Sequence, residues 1–256
     1  MQGEVRRPPI RLTVVVLALL WVVPALAQTT VFTDTFTEAT TNTDLVSHTP
    51  DAGTGWAEVI DSAGTRIIEV IQSLDVAETD TTNNSRIVYI ATPTTPCGED
   101  CDVSLEVDTL PGAADAPAAI VFGYVDTANY CALIIYNATP SVDVAVVKVV
   151  SGTASDLTSG TANTDPVNGD VFRVERRGSD ITIDKNDVAI LTPSDAACNG
   201  GNGVGLGYGN IRTATDDMNG SYRLDNFSVV NQTAGGPPPG GGTGGGGGLL
   251  RRSGVQ

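Results

Sequence analysis

Histidine is nearly missing from this chain, with His48 the only one in 256 residues. Ser-His-Asp and Cys-His catalysis would each have to be built on that single side chain. It sits in Ser47-His48-Thr49-Pro50, which reads as loop, so a structural role is expected. Basic residues are scarce too: 14 Lys plus Arg face 30 Asp plus Glu, for a net charge of −16. Phosphate backbones are held by basic patches, so nucleic acid is excluded as a partner. Aromatic residues are only 5% of the chain, and Trp56 is the sole tryptophan beyond residue 27, which counts against a sugar cleft walled by stacked rings. After residue 30 no segment shows a helical period, which excludes an α-helical core. No glycine-rich phosphate loop is present either, because the glycines near the C-terminus follow no strand and open no helix.

What the first 27 residues do contain is directional. Arg6, Arg7 and Arg11 precede an apolar run from Leu12 to Ala27, and Ala25-Leu26-Ala27 fits the small-x-small cleavage pattern. This reads as a secretory signal peptide cut before Gln28. The run is shorter than the ~20 residues a spanning helix needs. Without these residues the net charge falls to −18, since three Arg leave with Glu4. Such acidity keeps an exported protein soluble, and clustered carboxylates also suit Ca²⁺. At the other end, residues 233–256 are dominated by Gly and Pro and cannot bury apolar surface, so they read as a flexible tail or linker.

Between these ends the pattern is all-β. Asp170 to Thr192 shows it best. Phe172 and Val174 alternate with Arg173, Glu175 and Arg177, the period-two signature of a strand with one dry face. Gly178-Ser179-Asp180 breaks it, Ile181 and Ile183 resume it, and Lys185-Asn186-Asp187 turns again, because Asn and Asp tolerate the positive φ of hairpin turns. Further strands are expected at 31–37, 56–60, 66–71, 86–92, 102–109, 117–125, 129–136, 142–150, 203–208 and 221–230, giving thirteen with the three of the hairpin set. Thr79 to Asn84 and Ser151 to Asn168 read as polar loops. Some 12–14 short strands predict one antiparallel β-sandwich of two sheets over residues 28–232. In Gly203-x-Gly205-x-Gly207 the alternate glycines predict close approach of a neighbouring strand.

The strand–turn–strand order of Asp170 to Thr192, the later Gly203-Val204-Gly205-Leu206-Gly207-Tyr208, and the closing Tyr222-to-Val230 strand resemble the second half of concanavalin A-like jelly rolls. That superfamily includes laminin-G-like modules, lectins and laminarinase-type glucanases. Phe32-Thr33-Asp34-Thr35-Phe36 and Gly55-Trp56 are similar to its opening. The resemblance implies the fold and is nearly silent on function. It also implies a structural Ca²⁺, with Asp225 on the closing strand and Asp34 near the opening one as ligands.

Four cysteines in an exported chain are expected to pair. Cys97-Gly98-Glu99-Asp100-Cys101 can close on itself, leaving Cys131 for Cys198. The laminarinase-type strand carries Glu-x-Asp-x-(x)-Glu; here Glu106 and Asp108 share a strand face, but Leu110-Pro111-Gly112 stands where the second glutamate belongs. Glycoside hydrolysis needs two carboxylates flanking the bond, so catalysis is not expected. The expected function is that of a secreted lectin-like module that binds a glycan or an extracellular protein, with Tyr124, Tyr130 and Arg173 as candidate ligand-binding residues. A structural extracellular domain without a sugar pocket is the alternative.

Overall fold

Alternation decides which face each strand buries. The computed structural model describes residues 28–37, 41–61, 67–79, 86–93, 95–110, 117–136, 143–158, 165–209 and 222–232. They form sixteen strands: β1 Gln28–Asp34, β2 Thr43–Asp44, β3 Gly55–Asp61, β4 Ile68–Ile71, β5 Val76–Thr79, β6 Ile87–Thr92, β7 Asp100–Thr109, β8 Ala118–Asp126, β9 Asn129–Ile135, β10 Val144–Val150, β11 Thr153–Asp156, β12 Asp170–Arg177, β13 Asp180–Lys185, β14 Val188–Leu191, β15 Gly203–Tyr208 and β16 Arg223–Gln232. A single 3₁₀ turn, Ala196–Asn199, interrupts them. All thirteen expected strands are present. The three that alternation did not reveal, β2, β5 and β11, are two to four residues long, too short to establish a period. The strand β11 lies within the stretch read as the loop Ser151 to Asn168.

Two antiparallel sheets result. The nine-stranded sheet runs β14-β13-β12-β7-β16-β5-β4-β2, with β1 also on β16. There β5 meets β16 only at Ala77 and Leu224, and β1 takes over the same edge from Phe227 to Gln232. The seven-stranded sheet runs β11-β10-β9-β8-β15-β6-β3. Between them lies a core that includes Phe32, Trp56, Leu105, Phe122, Leu133, Phe172, Ile183, Leu206 and Phe227. Burying each such side chain contributes about 1.5–3 kcal/mol. Phe32, Trp56 and Phe227 pack edge-on or tilted, with centroids 5.0–5.8 Å apart.

Turn chemistry holds the hairpins as the sequence implies. Asn186 and Asp187 take φ of 51° and 62°, and Gly178 takes 58°, the left-handed values that tight hairpins need. At Gly205 the strands come so close that an added Cβ would lie 1.9 Å from the Tyr89 carbonyl oxygen. The cysteines pair as Cys97–Cys101 and Cys131–Cys198. Buried Arg176 joins the two bridged loops, donating to the carbonyls of Gly98, Cys198 and Gly201. At the opening strand, Asp34 Oδ2 accepts a hydrogen bond from Trp56 Nε1 at 2.6 Å, and its Oδ1 accepts from the Phe36 amide at 2.8 Å and lies 2.8 Å from His48 Nε2. His48 is therefore part of the scaffold.

Candidate functional site

The two sheets present very different outer faces. On the seven-stranded sheet both faces are apolar. Ala119, Val121, Ala132, Ile134, Val147 and Val149 form a second buried cluster, behind the strands that send Ile120, Leu133 and Val146 into the core. On the nine-stranded sheet β7 sends Val103, Leu105 and Val107 inward, so Ser104, Glu106 and Asp108 point out. Likewise β12 sends Phe172 and Val174 inward and Val171, Arg173 and Glu175 out. Register brings these side chains together: Arg173 lies opposite Ser104 on β7 and Asp184 on β13, while Val171 lies opposite Glu106 and Glu106 opposite Asp225.

A groove of about 330 Å³ opens on this face, lined by Ser104, Val171, Arg173, Asn186 and Asp187. That volume is at the lower end of the range for small-ligand sites. Arg173 is its centre. Its Nε and Nη2 donate to Asp184 Oδ2 at 3.1 and 2.6 Å, Nη2 lies 3.1 Å from Glu175 Oε1, and Nη1 lies 3.2 Å from Asp187 Oδ1. Partial burial pulls the guanidinium pKa down, but the Asp184 hydrogen bonds and the charges of Glu175, Asp184 and Asp187 outweigh it and leave it raised. Glu175 is itself pushed up, by burial first and then by Asp102.

The groove wall is fixed by the β13–β14 turn. Asn186 accepts from the Val171 amide at 2.9 Å, returns a backbone hydrogen bond to the Val171 carbonyl, and donates to Asp170 at 2.8 Å. Asp170 also meets Lys185 Nζ at 2.7 Å. Asp187, on the same turn, carries a side chain that is 87% exposed. Arg173 and Asn186 are thus held in place before any ligand arrives.

The expected ligand residues do not share one site. Arg173 lies on the nine-stranded sheet, whereas Tyr124 and Tyr130 lie on β8 and β9 of the other. Tyr130 was expected to be exposed; it is 1% exposed, because outward on this sheet means into the second apolar cluster. Its hydroxyl accepts from Arg86 Nη1 at 3.1 Å, and burial raises its pKa. Tyr124 is partly buried, its ring 6.2 Å from that of Tyr130. Ser104, Asn186 and Asp187 were missed. The Asn-Asp turn was visible, but its place beside Ser104 depends on the pairing of β12 with β7, which no local pattern encodes.

Asp34 and Asp225, expected to share Ca²⁺, lie on paired strands, with Asp34 opposite Phe227 and two positions from Asp225, but their carboxylates face different sides of the sheet. Asp34 is 1% exposed, faces the core and has both carboxylate oxygens engaged. Asp225 stands on the outer face beside Glu106, where Asn226 donates to Glu106 Oε2 at 2.8 Å. Among the described residues no three His, Cys, Asp or Glu side chains form a metal-holding group. Burial, reinforced by Glu106, Asp108 and Asp75 and opposed by the Asn226 amide, pushes the Asp225 carboxyl up to about 6.

No protein-family model matches the sequence, and no curated protein matches it. Solved structures do resemble the fold. The GH43 protein BlXynB from Bacillus licheniformis aligns over 78% of this chain and 39% of its own longer chain, at 15% identity and a TM-score of 0.52. Looser likenesses are domain 4 of AbnA, a GH43 extracellular arabinanase from Geobacillus stearothermophilus solved with arabinotriose (10% identity, 80% and 93% coverage, TM-score 0.49), and the carbohydrate-binding module CBM66 from Bacillus subtilis (14%, 70% and 94%, TM-score 0.43). At such identities the likeness is one of fold.

Proposed function

We propose that residues 28–232 form an exported, non-catalytic carbohydrate-binding domain whose sugar site is the Arg173 groove. The observation that carries this reading is the groove itself: donor and acceptor groups held by their own ion pairs and hydrogen bonds beside the apolar wall of Val171. A sugar hydroxyl both donates and accepts, so a guanidinium next to a carboxylate is a matched pair for adjacent hydroxyls. Export agrees with two disulfides, and among the described residues no helix is long and apolar enough to cross a membrane. Glu106 and Asp108 share the outer face, but the third carboxylate of the glucanase strand is missing from the sequence, which supports binding without cleavage.

The test is affinity electrophoresis through gels containing soluble arabinan, xylan, levan or β-glucan. At least one polymer should retard the wild type, and Arg173→Ala and Ser104→Trp should each abolish that retardation in folded protein. Retardation that survives both changes but is lost in Tyr124→Ala would move the site to the other sheet. Lack of retardation in every gel favours a structural domain, a reading that the largely apolar outer face of the seven-stranded sheet also supports.

A further inference from the structure

The charges around Arg173 bear on which glycans the groove accepts. Three carboxylates contact the one guanidinium: Asp184 at 2.6 Å, Glu175 at 3.1 Å and Asp187 at 3.2 Å. Arg173 is therefore over-neutralised before any ligand binds. Beyond the groove the same sign continues, since Glu106 lies opposite Val171 and Asp225 lies opposite Glu106. Arg177, which shares this face of β12, is engaged by Asp102 at 2.5 Å and lies 3.8 Å from Glu175.

Resting on the sugar-site reading above, we propose that the groove is selective for neutral glycans and rejects uronic, sialic and sulfated sugars. A ligand carboxylate or sulfate brought toward Arg173 would meet the three acidic side chains already there. Such like-charge contacts are how an interface refuses a wrong partner. Neutral hydroxyls carry no such penalty, and they can donate to Asp187 while accepting from the guanidinium. Asp187 is the residue on which the rejection turns most directly, because its exposed side chain hangs over the groove from the β13–β14 turn.

The experiment measures binding of neutral oligosaccharides (arabino-, xylo-, fructo- and gluco-) and of oligogalacturonate, with its methyl ester as the uncharged twin, at 20 and 500 mM NaCl. A neutral sugar should bind with an affinity nearly independent of salt. Oligogalacturonate should bind at least about tenfold more weakly than its methyl ester at low salt, and the gap should shrink at high salt, where the Debye length drops toward 3 Å. Asp187→Asn should narrow the gap at low salt. Oligogalacturonate binding as tightly as its ester, or an unchanged gap in Asp187→Asn, overturns the selectivity while leaving the sugar site standing. If no neutral sugar binds, the site reading falls and the selectivity falls with it.

Discussion

Arg173 and Asp184 face each other across the β12–β13 ladder, with Nη2 2.6 Å from Oδ2 and the Asp184 side chain only 7% exposed. The pair does two jobs. It holds the guanidinium in the groove, and it neutralises a carboxylate that the hairpin has largely removed from water. Breaking one half leaves the other without its partner, whereas removing both does not.

Arg173→Ala should therefore lower stability by about 1–3 kcal/mol, and Arg173→Ala/Asp184→Ala should recover part of that loss. Urea denaturation of the two variants measures it. A double variant less stable than Arg173→Ala would show that Asp184 is satisfied by other groups.

Tyr130→Phe is expected to leave glycan binding unchanged, because the ring is 1% exposed and turned into the second apolar cluster. Its hydroxyl takes a hydrogen bond from Arg86, so the change should cost about 1 kcal/mol of stability. A loss of sugar binding without a loss of stability would place the ligand on the seven-stranded sheet.

These two residues mark how far the sequence could be read. The hairpins of β12, β13 and β14 were legible because alternation and the Asn186-Asp187 turn are local signals. Arg173 could be placed on the wet face for the same reason. Tyr130 also alternates outward, but the rule that outward means wet fails where Ala119, Val121, Ala132 and Ile134 make the outer face apolar too. The groove was not legible, since Ser104 and Arg173 are brought side by side by a β7–β12 pairing between distant segments. Cys97–Cys101 could be read from a short loop; Cys131–Cys198 followed only once that first pair was assigned.

Removing the long-range bridge tests the link between β9 and the 3₁₀ turn. Cys131 and Cys198 are 67 residues apart, and a closed loop of that length restricts the unfolded chain by about 4 kcal/mol. The Cys131→Ala/Cys198→Ala protein should lose most of that in chemical denaturation. A loss below about 1 kcal/mol would show that the unfolded chain is already compact around this pair.

Asp225 gives a pH dependence whose sign is fixed by its environment. Its folded-state pKa is about 6, above the ordinary 3.8, so the folded protein holds the proton more tightly than the unfolded one. Its contribution must then fall as pH rises from about 4 to about 6, and the cost remains above that window. Asp225→Asn should melt higher than wild type at pH 7, with the difference vanishing near pH 3.5; each kcal/mol corresponds to ~2–4 °C at this size. A difference constant across that range would mean that Asp225 does not titrate differently on folding.

The last prediction concerns Gly205, where β15 is paired with β6 on one side and β8 on the other. Because strands hold it on both sides, the backbone has no free edge toward which to shift. A Cβ at this position would lie 1.9 Å from the Tyr89 carbonyl oxygen and 2.9 Å from the Ile90 Cα, well inside contact distance and against backbone that cannot rotate away. Overpacking a core typically costs about 1–3 kcal/mol when side chains can adjust. Here the obstruction is main chain in the centre of a sheet, so Gly205→Ala should cost more than that and lower the yield of folded protein. Gly98→Ala is the control, because an added Cβ there meets nothing within 4 Å. Melting temperatures of the two variants decide the matter: equal values would show that the sheet opens at β6–β15 without penalty, and that close strand approach is not why glycine stands at 205.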